Sequence, residues 1–267
     1  MSNIAIVTGG SSGIGKATVK MLADNGYKVY ELSRSGYSEN GIMHITTDVT
    51  KSEDVTTAVR QIVGVEGRID LLINNAGFGI SGAVEFTDSS DAQAQLNVNF
   101  FGTLHCIQAV LPIMRAQRSG HIINLSSVAA PIAIPFQAFY SATKSAINSL
   151  TLSLRNEVRP FGIQVCAVQP GDVCTGFTAA RKRMLLVISS MGRRSYMPWK
   201  SWNMMNRMEC RPKPLQSPLF TQRKQGDARR SIRWARNTSC SHALPRCCQQ
   251  PLSTISLAKF INNVSVS

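Results

Sequence analysis

Residues 4–15 read IAIVTGGSSGIG. Ile4 to Val7 is a short, continuous apolar run, the pattern of a strand buried on both faces of a parallel sheet. Glycines follow at once, and an amphipathic helix is expected from about Gly15 to Asn25. Glycines let a backbone turn tightly between strand and helix, so that a pyrophosphate can rest on the helix N-terminus. The spacing is G-x-x-x-G-x-G rather than the older G-x-G-x-x-G fingerprint. Such a turn can be purely structural. The correctly placed strand and helix favour a cofactor-binding turn.

The neighbouring segments repeat the alternation. Lys28 to Leu32 (KVYEL) is the expected second strand, with Ser33 and Arg34 at its end. An acidic residue there would bind a ribose 2′-hydroxyl. A hydroxyl followed by a guanidinium suits a 2′-phosphate, so NADP(H) is expected over NAD(H); the bland alternative is a surface arginine. Ile42 to Thr47 is the third strand, followed by Asp48 and Val49. Asp48 suits either an adenine contact or a cap on the helix expected over Ser52–Val63. Asp70 to Ile73 is the fourth strand, running into Asn74-Asn75-Ala76-Gly77. Small residues at that strand end allow a cofactor close approach, although Asn75 serves equally well to tie two strands together. A helix over Ala92–Arg115 holds Asn99, either a satisfied core amide or one that orders an active-site water. His121 to Leu125 leads to Ser127, and Ile163 to Val168 leads to Gln169-Pro170-Gly171-Asp172-Val173-Cys174-Thr175. Strands alternating with helices argue an α/β fold with one parallel sheet.

Residues 126–144, SSVAAPIAIPFQAFYSATK, bring the reactive groups. On a helix expected over Phe136–Arg159, Tyr140 and Lys144 are one turn apart on one face. A cation beside a phenol lowers its pKa from about 10 and makes it a usable acid and base. The same spacing also occurs as a solvated helix pair.

The chain has 267 residues, enough for one α/β domain with a large core. Its formal charge of +14 is unevenly placed. Residues 1–180 hold 12 Lys+Arg against 13 Asp+Glu, whereas residues 181–267 hold 17 against 2. The seven cysteines form no C-x-x-C pair, as expected in a reducing compartment. No leader pattern and no apolar run of membrane-spanning length is read, so the expectation is a soluble cytoplasmic protein without membrane or nucleic-acid partners. Cys240, His242, Cys247 and Cys248 lack a tetrahedral zinc spacing, and no metal is expected.

Taken together, TGGSSGIG, Asp48, NNAG, Asn99 in VNFFG, Ser127, YSATK and PGDVCT resemble the classical short-chain dehydrogenase/reductase family over residues 1 to about 180. The resemblance implies a Rossmann-like doubly wound sheet and a catalytic tetrad of Asn99, Ser127, Tyr140 and Lys144. It implies a secondary alcohol and a ketone interconverted by hydride transfer. Gly9, Ser11, Ser12, Gly13, Ile14 and Gly15 would form the phosphate turn. Ser33 and Arg34 would read the ribose end, and Asp48 and Val49 the adenine. Asn75 and Gly77 would meet the cofactor's inner face, Pro170, Gly171, Val173 and Thr175 the carboxamide end, and Tyr140 and Lys144 the nicotinamide ribose. The outer faces of Ala92–Arg115 and Phe136–Arg159 resemble the family's dimer face, so a homodimer or tetramer is expected. The apolar stretch between Ser127 and Tyr140, with GFGISGA after the NAG, suggests a small apolar carbonyl or alcohol substrate; steroid- and retinoid-like compounds follow from the resemblance alone.

Beyond about Ala180 the pattern stops. The basic, cysteine-rich sequence there has no sustained apolar period. Codons compatible with Trp199–Cys210, shifted by one frame, give an acidic, helix-compatible series like the one that often precedes the family's last helix. Residues 181–267 are therefore expected to be an atypical basic tail, out of frame or disordered. The fold would then lack the last strand and the lid helices. The alternative function is an impaired fragment that at most binds nucleotide.

Overall fold

The computed structural model describes residues 2–39 and 41–171 and the backbone of Lys182–Arg183. Six parallel strands form one sheet in the order β3-β2-β1-β4-β6-β7. They are β1 (Ile4–Thr8), β2 (Lys28–Ser33), β3 (Ile42–Thr46), β4 (Leu71–Asn74), β6 (Gly120–Leu125) and β7 (Ile163–Val168). Between them run α1 (Gly13–Asp24), α2 (Ser52–Glu66), α3 (Ser89–Leu96), α4 (Gly102–Gln117) and α5 (Ala138–Val158). The sheet is Rossmann-like and doubly wound: the chain builds outward from β1 to β3, then returns past β1 to β4. Strand order reverses between β1 and β4, which opens a crevice at the strands' C-terminal ends.

The period of two divides the core. Ile4 and Ile6 of β1 face one cluster with Leu72, Ile122 and the inner sides of α2, α4 and α5. Ala5 and Val7 face the other, with Val29, Ile73, Ile123 and the α1 residues Val19 and Leu22. All five residues of β1 are buried, as the unbroken apolar run requires of a central strand.

Three expectations need correction. The last long helix begins at Ala138, not Phe136, because Phe136 has a left-handed φ of 62° that no α-helix accommodates. The single helix expected over Ala92–Arg115 is α3, a π-turn at Asn97–Phe101, and then α4. Within that continuous Ser89–Gln117 stretch of 29 residues an 18-residue window reaches a mean hydropathy of 1.2, so one described helix is long and apolar enough to cross a membrane by length and composition alone. Its apolar residues Cys106, Ile107, Val110 and Met114 pack into the core. A two-residue strand not foreseen in the sequence, β5 (Ile80–Ser81), pairs in parallel with β8 (Lys182–Arg183). Strands this short leave no periodic signal. The expected tail otherwise lies outside the described residues.

Candidate active site

The glycine turn leaves β1 with Gly9 at φ 65° and Gly13 at φ 55°. A methyl group on Gly15 would lie 2.2 Å from the Gly9 carbonyl oxygen and 2.4 Å from Asn75 Nδ2. Asn75 donates from Nδ2 to the carbonyls of Thr8 (3.0 Å) and Gly9 (2.9 Å). Thr8 Oγ1 accepts from the backbone N–H groups of Asn75 and Ala76, both at 3.0 Å. Of the two roles open to Asn75, the strand tie is thus made, and the residue also borders the crevice. Gly15→Ala is expected to cost about 1–3 kcal/mol through overpacking. It should also erase any nucleotide-induced thermal shift; chemical denaturation and thermal unfolding measure the two.

The crevice is a cleft of about 1150 Å³. Gly9, Ser11, Ser12, Gly13 and Ile14 border it at one end, with Ser33, Arg34, Asp48 and Val49 beside them. Gly15 is set back behind the turn, where its role is to let Gly9 and Asn75 approach. Ser33 Oγ donates to the Ser35 carbonyl at 3.0 Å. Asp48 Oδ1 accepts from Thr50 Oγ1 (2.7 Å) and Thr50 N–H (3.0 Å). Asp48 therefore folds its own turn, and the position before α2 belongs to Lys51. The Thr50 bonds, with smaller help from Arg34 and Lys51, hold the Asp48 carboxyl below its ordinary range against the cost of burial.

Ser127, Tyr140, Lys144, Gly77, Pro170 and Gly171 border the far end of the same cleft. Ser127 Oγ accepts from Ala129 N–H at 3.1 Å, which leaves the hydroxyl proton for another acceptor. Lys144 is 6 % exposed. Its Nζ donates to the Leu125 carbonyl at 2.6 Å and lies 5.8 Å from the Tyr140 ring centroid. Burial pulls the Lys144 pKa down to about 8. Asn99 does not border the cleft. Its Oδ1 accepts from Phe78 N–H (3.0 Å), and Nδ2 donates to the Phe78 carbonyl (3.0 Å) and Thr143 Oγ1 (3.2 Å). Its amide is thus satisfied inside the protein and fixes the Gly77–Phe78 turn. The π-turn that carries it is a form often found at functional sites. Val173 and Thr175 lie outside the described residues.

A buried chain of amides supports the reactive helix, and the sequence reading missed it. Asn74 Nδ2 donates to Asn124 Oδ1 at 2.9 Å, and Asn124 Nδ2 donates to Thr151 Oγ1 at 2.9 Å. Asn74 and Asn124 are register partners on β4 and β6, so the chain pins two strand ends to α5. The available signal was an asparagine within the apolar runs of residues 71–74 and 122–125. Just before α5, Gly82 N–H donates to the Phe136 carbonyl at 2.9 Å, which holds the left-handed residue in place.

A doubly wound sheet with a glycine turn at its switch point, and serine, tyrosine and lysine in one cleft, defines a dinucleotide-binding enzyme fold. The chain belongs to the short chain dehydrogenase family, which it matches over residues 3–185. It is 48% identical over 179 residues to a 3-ketodihydrosphingosine reductase of Bacteroides thetaiotaomicron. That match covers 67% of this chain and 66% of the relative, so the chain spans just under two thirds of that relative's length. The structure of ElxO with NADP bound superposes with a TM-score of 0.64 at 32% identity, covering 66% of this chain and 75% of that one. A 3-ketoacyl-(acyl-carrier-protein) reductase of Brucella melitensis, complexed with NADH, gives 0.64 at 27% identity, covering 67% and 79%.

Proposed function

We propose that the chain is an NADP(H)-dependent oxidoreductase that interconverts a secondary alcohol and a ketone on an apolar substrate. One observation carries this reading: Ser127, Tyr140 and Lys144 border the same cleft as the glycine turn and Arg34. The residues fit a dinucleotide, since Gly9, Gly13 and Gly77 bring bare backbone to the edge of a cleft of about 1150 Å³ that Arg34 and Lys144 also border. A bound nicotinamide supplies or accepts the hydride. Tyr140 gives its proton to the oxygen of the carbonyl being reduced and takes it back in the reverse direction. The Ser127 hydroxyl donates to the same oxygen as charge develops on it. Lys144 favours the tyrosinate and offers its remaining N–H donors to the ribose. Asn99 holds the Gly77–Phe78 turn under the cofactor, and its place in a proton relay rests on the family resemblance. The relative that reduces 3-ketodihydrosphingosine points to a long-chain keto compound. Half-exposed Leu152 on α5 fits assembly into a dimer, and a cytoplasmic location belongs to the same proposal.

The test is NADPH oxidation in the presence of 3-ketodihydrosphingosine, together with thermal unfolding with NADPH or NADH. Turnover and a larger shift with NADPH support the reading. Absence of both overturns it. A shift without turnover supports the second reading, a nucleotide-binding domain without activity, which is favoured by a family match that ends at residue 185 of 267. Arg34→Ala is expected to weaken NADPH binding roughly 10–100-fold, the loss of a charge-assisted contact, with NADH within about twofold. Calorimetric titration of both nucleotides measures it.

A further inference from the structure

Two titratable side chains beside the glycine turn take no part in the proton-transfer set. Glu31 on β2 and His44 on β3 are register partners. Glu31 is 3 % exposed and points to the face that its neighbour Val29 fills with an apolar side chain. A carboxylate buried there is costly unless both oxygens are bonded. Both are: Oε1 accepts from Gly10 N–H at 2.8 Å, and Oε2 lies 2.5 Å from His44 Nδ1. His44 Nε2 lies 3.2 Å from Thr46 Oγ1, and His44 N–H donates to Ser38 Oγ at 3.0 Å.

The segment over residues 34–38 crosses directly above this pair. A methyl group on Gly36 would lie 2.6 Å from His44 Nδ1 and 2.7 Å from Glu31 Oε2. On the other side, a methyl group on Gly10 would lie 2.5 Å from Glu31 Cγ. One carboxylate thus touches the phosphate turn and, with its histidine, supports the segment that begins with Arg34.

We propose that Glu31 and His44 are positioning residues that hold the phosphate turn at Gly10 and the Arg34–Ser38 segment in fixed register, and so set affinity at the adenosine end of the cofactor cleft. The inference rests on the dinucleotide reading given above. Neither residue reaches the Tyr140 end of the cleft, so the pair acts on binding and not on the chemical step. Glu31→Gln keeps an acceptor for Gly10 N–H and a polar partner for His44. Glu31→Ala and His44→Ala remove them. Gly36→Ala pushes the segment off the pair without changing any charge.

The experiment is calorimetric titration of NADPH and NADH into the full chain and these four variants, with thermal unfolding of each. Where turnover is present, kcat and KM are measured as well. The expected result is a roughly tenfold rise in Kd for both nucleotides in Glu31→Ala, and a larger rise for NADPH than NADH in His44→Ala and Gly36→Ala. Glu31→Gln should stay within about threefold of the parent. The KM for NADPH should rise with Kd while kcat stays within about twofold. Variants that lose Tm but bind as the parent does would overturn the proposal and leave the dinucleotide reading standing. A parent chain that binds neither nucleotide would overturn both. If Glu31→Ala does not fold, Gly36→Ala and Glu31→Gln decide: unchanged binding in the first, or a tenfold loss in the second, would overturn it.

Discussion

Tyr140→Phe is expected to lower turnover by about 10²–10⁴-fold, the usual worth of a positioned proton donor, and to leave nucleotide binding within a few-fold. The phenol is placed in the cleft by both the Lys144 spacing and the α5 register. Phenylalanine keeps the ring and therefore the packing, so the loss falls on kcat and on kcat/KM together. Ser127 still offers its hydroxyl, and the hydride still comes from the nucleotide, which is why residual activity is expected. Steady-state kinetics beside a nucleotide-induced thermal shift separate the two effects. Equal losses of shift and turnover would mean that the tyrosine shapes the site and does not donate to the substrate.

Lys144→Met changes how stability depends on pH, by about 2 kcal/mol between pH 7 and pH 9.5. Burial lowers the folded pKa of Lys144 to about 8 from an ordinary 10.5. Below about pH 8 the lysine is charged in both states, and the folded protein bears the full cost of burying the ammonium. Between about 8 and 10.5 the unfolded chain binds a proton that the folded one has released, so stability rises with pH across that window. Methionine has nothing to release. The stability of the parent relative to the variant should therefore climb as pH rises from 7 to 9.5, whatever the lost bond to the Leu125 carbonyl contributes as a constant. Urea unfolding at several pH values measures it. A gap that does not move with pH would mean that water reaches Nζ. Turnover should be lost in the variant at every pH, since the tyrosine then has no cation beside it.

These two expectations join stability to function. A buried lysine costs folding energy near neutral pH, and the same placement keeps its charge beside the Tyr140 ring. Natural sites often carry such local costs where chemistry requires them.

The sequence by itself determined the alternation of strand and helix, the glycine turn and the serine, tyrosine and lysine. Each depends on local periodicity or on spacing within one segment, which covalent geometry converts directly into position. It also showed that the excess of positive charge is confined to residues beyond 180. Only the tertiary structure decided which groups Asn75, Asn99 and Asp48 bond within the protein, because each is chemically suited to several partners and the choice depends on which segment packs against it. Asn99 turned inward to the Phe78 peptide, 21 residues away. Asp48 turned to Thr50. The start of α5 moved to Ala138 because a backbone bond from Gly82 holds Phe136 in a left-handed conformation. The Glu31–His44 pair was invisible for the same reason: β2 and β3 lie side by side only when the sheet forms, and a glutamate in a strand reads as an exposed charge until the opposite strand supplies its partner.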